Sequence, residues 1–137
     1  MICLDTNAVI AVFNDRDSPV RRRIADALGD GGTFALSVVV LFELRYGAAK
    51  SARPERNGRR IDDFLSGPIE VLSFTPEDAE EAGDVRAALE RAGTPIGPYD
   101  VLVAAQARRH GALLVTANMR EFARVPRLRC EDWAAPL

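Results

Sequence analysis

The chain has 137 residues, 47% of them hydrophobic and 28% charged, with a formal net charge of -2. This length suits one compact domain and is short for two, so a single domain over residues 1–137 is expected; the charge balance alone gives no reason to expect a polyanionic partner. Two cysteines without a Cys-x-x-Cys and a single histidine, His110, argue against a tetrahedral zinc site, and the opening residues and the short apolar runs argue against a leader or a membrane span, so a soluble cytoplasmic protein is expected.

The first strand covers residues 1–4 and leads into Asp5-Thr6-Asn7. A helix from Ala8 to Phe13 follows, with Thr6 and Asn7 available to cap it. Ser18-Pro19 is a strong start signal for a second helix reaching about Leu28, where Gly29-Asp30-Gly31-Gly32 stops it. A short strand over Phe34-Ala35-Leu36 then meets Ser37, a cap for a helix from Val38 to about Lys50. Val39, Phe42 and Tyr46 fall three and four apart and are expected to form its core-facing stripe, with Glu43 on an adjacent face.

Pro54 opens an arginine-rich helix to Leu65, and Ile69 to Leu72 reads as an edge or near-edge strand. Thr75-Pro76-Glu77-Asp78 combines a cap, a first-turn proline and acids that suit the helix dipole, predicting a helix to Ala92 that stops at Gly93. The next helix runs from Tyr99 to Arg109 with Asp100 in its first turn. Ala112 to Thr116 reads as a central strand, and Leu128 to Cys130 as a last one. Alternation of this kind predicts a three-layer α/β/α sandwich with a mainly parallel sheet.

Asp5, Glu43, Asp100 and Glu121 sit at or near the junctions of four short apolar stretches. Strand ends and adjacent helix starts form the binding crevice of an open α/β fold, so these distant acids are expected to meet. Clustered carboxylates must bind cations or stay partly protonated. Oxygen ligands without histidine suit Mg²⁺ or Mn²⁺, and such ions support in-line phosphodiester cleavage. No Walker or dinucleotide glycine pattern is present. Of the 18 basic side chains all but Lys50 are arginine, grouped at Arg21 to Arg23, Arg53 to Arg60, Arg108-Arg109 and Arg120 to Arg129. Arginines around an acidic pocket could hold metal and polyanion together; a solvated charged surface would look the same. Cys3 and Cys130 are expected to pack as small hydrophobes, with a pairing between terminal strands left open.

Several motifs together resemble the PIN-domain ribonucleases, specifically the VapC toxins. They are Ile2-Cys3-Leu4-Asp5-Thr6-Asn7, Phe42-Glu43-Leu44-Arg45-Tyr46-Gly47-Ala48, Asp100-Val101-Leu102-Val103-Ala104-Ala105, Leu114-Val115-Thr116-Ala117-Asn118-Met119-Arg120-Glu121-Phe122 and Glu131-Asp132-Trp133. The resemblance spans nearly the whole chain and implies a PIN-like fold and Mg²⁺-dependent cleavage of RNA by metal-activated water. It maps Asp5 and Asp100 onto the principal metal ligands, and Glu43 and Glu121 onto the rest of the catalytic acidic set. Asn118 matches the asparagine of an Asn-x-x-Asp-Phe pattern in which Glu121 replaces the usual Asp, while Thr6 and Thr116 fall as supporting residues. It also implies a homodimer, silenced by a cognate VapB-like antitoxin in a higher toxin–antitoxin assembly. A metal-dependent DNA nuclease and a non-catalytic PIN-like binding module are the competing readings; a phosphoacceptor receiver domain fails because Lys50 lies in the wrong region.

Overall fold

Five short strands form one sheet in the order β3-β2-β1-β4-β5, and every pairing is parallel. The structure is a computed structural model and describes residues 1–134. In chain order the elements are β1 (Ile2–Leu4), α1 (Thr6–Asn14), α2 (Pro19–Gly29), β2 (Phe34–Ser37), α3 (Val38–Ala49) and α4 (Pro54–Leu65). They continue with β3 (Ile69–Leu72), α5 (Pro76–Arg91), α6 (Pro98–Arg109), β4 (Leu113–Val115), α7 (Met119–Phe122) and β5 (Arg129–Glu131). Helices flank the sheet, giving the expected three-layer arrangement. The inner strands are nearly all apolar, as parallel strands covered on both faces require: Leu4, Leu36, Leu114 and Val115 are buried, together with Val9, Val40, Ala104 and Phe122 from the helices.

Local signals set several boundaries. The Ser18 hydroxyl accepts a hydrogen bond from Val20 N, and the Ser37 hydroxyl accepts one from Val39 N. Thr75 and Asp78 complete a reciprocal capping box at the start of α5. Gly93, beyond the end of that helix, takes φ +73°, a conformation that favours glycine.

Two expectations need correction, and one open question closes. Helix α1 begins at Thr6, with Asp5 at the cap position and no side-chain cap, so Thr6 and Asn7 are first-turn residues and not caps. On α3 the buried residues are Val40, Leu44 and Ala48, while Phe42 and Tyr46 are 51% and 57% exposed. The helix is apolar on most of its circumference, so spacing alone could not say which stripe faces inward. The open question of a cysteine pair is settled by register. Cys3 pairs with Leu114 and Leu114 with Cys130, so a whole strand separates the two thiols by roughly 10 Å, beyond the reach of a disulfide.

Among the described residues no helix is long and apolar enough to cross a membrane.

Candidate active site at the strand ends

Strand β1 lies in the middle of the sheet. The chain first builds outward on one side through β2 and β3, then crosses to the other side of β1 to add β4 and β5. This reversal opens a crevice beyond the carboxyl ends of β1 and β4, where ligands of open α/β sheets bind. Asp5 follows β1 and Thr116 follows β4, and the Asp5 backbone N–H donates to Val115 O at 2.9 Å.

Side chains lock this junction further. Thr116 Oγ1 donates to Asp5 Oδ2 at 2.8 Å, and Asn7 Nδ2 donates to the same oxygen at 3.2 Å. Asn7 Oδ1 accepts from Ala117 N at 2.8 Å, and Thr116 Oγ1 accepts from Asn118 N at 3.0 Å. Each group is oriented by a neighbour, so the Asp5 carboxylate is held in one direction. Asn7 was not anticipated as a bridge; the signal available was its place two residues after an acid at a strand end.

The other acids arrive from three helices. Glu43 projects half-buried from α3, Asp100 lies in the first turn of α6, and Glu121 belongs to the short α7, where Asn118 Nδ2 donates to its Oε2 at 3.0 Å. Asp100 feels the charges of the other three. Burial raises the pKa of Asp5, against hydrogen bonds from Thr116, the Thr6 backbone and Asn7. Burial and then the Asp5 charge raise that of Glu43. Asp100 is pushed up to about 7, chiefly by burial, then by a hydrogen bond shared with Glu121 and by the charges of Asp5, Glu121 and Glu43. Glu121 moves down, because Asp100 and Asn118 donate to it. The hydrogen bond that Asp100 and Glu121 share thus drives their pKa values in opposite directions.

Gly97 makes this proximity possible. A Cβ at that position would stand 3.2 Å from Asp100 Oδ2, and the Gly97 backbone also bonds to Glu121.

The donor set fits a hard divalent cation. It is entirely oxygen, its acids repel one another, and two buried oxygens in it, Glu43 Oε1 and Thr6 Oγ1, have no hydrogen-bond partner. Among the described residues, however, no three His, Cys, Asp or Glu side chains are already disposed to hold a metal ion, so ligation requires side-chain adjustment. The thiols play no part: burial pushes Cys3 up to about 11, leaving it an inert thiol.

Carboxylates gathered at the switch point of a small parallel α/β/α sheet define an acid-centred domain of the PIN class. Residues 2–128 match the PIN domain, and the chain belongs to this family. Within it the chain is closely related to the VapC ribonuclease toxins. It is 41% identical over 130 residues to the tRNA(fMet)-specific endonuclease VapC of Salmonella typhimurium, covering 95% of this chain and 96% of that one. It is 44% identical over 131 residues to the enzyme of the same name from Shigella flexneri, covering 96% of each. Its fold matches that in the crystal structure of VapBC2 from Rickettsia felis, bound to a promoter DNA fragment, with a TM-score of 0.89 at 36% identity over 97% of this chain and 99% of that one.

Proposed function

We propose that this protein is the toxin of a toxin–antitoxin pair and a Mg²⁺-dependent endoribonuclease, with Asp5, Glu43, Asp100 and Glu121 as its catalytic acids. The observation that carries the reading is the convergence of these four carboxylates, which leaves Asp100 near pKa 7. Their mutual repulsion would be relieved by a bound cation, which Asp5 and Asp100 would hold. Mg²⁺, or Mn²⁺ in its place, would supply charge neutralisation at a phosphate and a lowered pKa for attacking water.

The chain's own groups do the remaining work. Thr116 and Asn7 fix the direction of Asp5, and Asn118 fixes Glu121. The unpartnered Glu43 Oε1 is free to accept a proton from water, while the Asp100–Glu121 pair can hold or release one near neutral pH. Thr6 Oγ1, also unpartnered, is available to a phosphate oxygen or a carboxylate.

The Salmonella and Shigella relatives make an initiator transfer RNA the first substrate to offer, and the VapBC complexes from Rickettsia felis and Salmonella typhimurium support a VapB-like antitoxin partner. A homodimer fits the exposed aromatic surface of Phe42, Tyr46 and Tyr99, in which Phe42 lies 6.5 Å from Tyr46 and 5.6 Å from Tyr99 between ring centroids.

The test is to incubate purified, antitoxin-free protein with total RNA, initiator transfer RNA and DNA of matched sequence, with Mg²⁺ or with EDTA, and to map new ends. Discrete RNA cleavage, lost with EDTA, is expected. Folded protein that binds Mn²⁺ yet cleaves nothing would transfer the assignment to a binding module; preferential cleavage of DNA would transfer it to a DNA nuclease.

A further inference from the structure

An RNA substrate poses an electrostatic problem at the proposed site. Its phosphates are repelled by the clustered carboxylates, so affinity must come from neighbouring surface. Two adjoining cavities supply that surface. The first, of about 220 Å³, has Glu43 in its wall, together with Phe13 and Arg60. The second is a cleft of about 520 Å³ between α1, α2 and α4, and Phe13 and Arg60 line it as well. The two adjoin at Phe13 and Arg60, with the proposed catalytic Glu43 in the wall of one and arginines in the wall of the other.

Arg16 from the turn between α1 and α2, Arg21 from α2 and Arg60 from α4 converge on this cleft. Their only acidic companion there is Asp63, and among the described residues none of the three arginines forms an ion pair. Arg21 donates to the backbone oxygen of Val12, which anchors its guanidinium without neutralising it. Phe64 meets Phe13 edge to face at 5.8 Å, giving the passage an aromatic floor. Three guanidiniums without ion pairs, lining one cleft with two aromatic rings, match a single-stranded nucleic acid, whose phosphates take bidentate arginine contacts and whose bases stack.

We infer that the Arg16–Arg21–Arg60 cleft is the path along which single-stranded RNA leaves the carboxylate site, its backbone held by these arginines and its bases passing over Phe13. The inference rests on the ribonuclease reading, and the experiment separates the two. Binding of a short fluorescein-labelled single-stranded RNA is followed by anisotropy in EDTA, where no cleavage is expected, across a salt series. The proteins are wild type, Arg16→Ala, Arg60→Ala, the double variant and, as control, Arg91→Ala on α5.

Each cleft substitution is expected to weaken binding about tenfold and to lower the salt slope by about 0.7 per arginine removed, with Arg91→Ala close to wild type. In Mg²⁺ the same variants should raise KM for RNA while leaving kcat within about twofold. Wild-type protein that cleaves RNA while the cleft variants keep its affinity and salt slope would overturn the path and leave the ribonuclease reading standing. Variants that instead lose binding of a polyglutamate peptide, with RNA binding intact, would reassign the cleft to an acidic protein partner and likewise overturn it.

Discussion

Asp78 and Asp100 are both first-turn acids, on helices that pack against each other, yet their surroundings drive them in opposite directions. Asp78 is completely buried, and burial alone would raise its pKa. It nevertheless moves down, because the Thr75 backbone, Arg109 and Gln106 all donate to it. Asp100 is less buried but faces other acids, and moves up. Asp78 is a satisfied carboxylate that holds α5 to α6; Asp100 is a dissatisfied one, and the cost of keeping it charged is what a cation can relieve.

The contrast can be broken most severely by Asp100→Asn. RNA cleavage should fall by about a thousandfold, corresponding to roughly 4 kcal/mol of transition-state stabilisation, while thermal melting of the metal-free protein at pH 7.5 stays the same or rises. Unchanged cleavage would sink the assignment.

Asp78→Ala should do the reverse. Stranding Gln106 and Arg109 beside a cavity is expected to cost about 3 kcal/mol in a denaturant titration, with kcat per folded molecule little changed. A variant as stable as wild type would show the network to be dispensable.

The pH response sharpens the comparison next. Asp100 has a folded pKa of about 7, above the 3.8 of an ordinary aspartate, so between those values the folded state binds the extra proton. Stability of the metal-free protein from this group is present in acid and declines as pH rises through about 7, by on the order of 2 kcal/mol. Mg²⁺ should flatten the decline, and Asp100→Asn should remove it. Melting curves from pH 5 to 8, with and without Mg²⁺, test the sign. Asp78, shifted down, instead contributes stability that is lost only on acidification.

Thr116→Val gives the smallest effect. It removes the donor to Asp5 Oδ2 and should cost about 1 kcal/mol, raise the Asp5 pKa further and move the acidic limb of the cleavage profile upward. An unchanged limb would mean that Thr116 only packs.

Much of this architecture could be read from local chemistry. Ser18-Pro19, Ser37 and Thr75-Pro76 each carry their own stop-and-start information, and the apolar runs ending near Asp5 and Thr116 marked the crevice. The four acids stand out in the sequence as a set, since each lies at or near the end of a short apolar run, and Glu43 most of all because burying an unpaired carboxylate is costly. What stayed hidden depends on groups meeting across the chain. Asn7 bonds to Ala117, and Asp78 to Gln106 and Arg109, 110, 28 and 31 residues apart, and none of these side chains is unusual in its own segment. The inward face of α3 was hidden for another reason: with apolar residues nearly all round, only the position of the sheet decides between Val40 and Phe42.

The strand order also bears on how a toxic enzyme is made. Strand β1 is made before the other four, but one of its edges stays open until β4 arrives at Leu113–Val115. Asp5 lacks its Thr116 donor, and Asp100 its Glu121 partner, until those segments are made. A nascent chain therefore carries an incomplete acidic site through most of translation, and products terminated before α7 are expected to be inert. Long-range closure of this kind is slow compared with local folding, which delays assembly of the acidic site until β4 and α7 have been made.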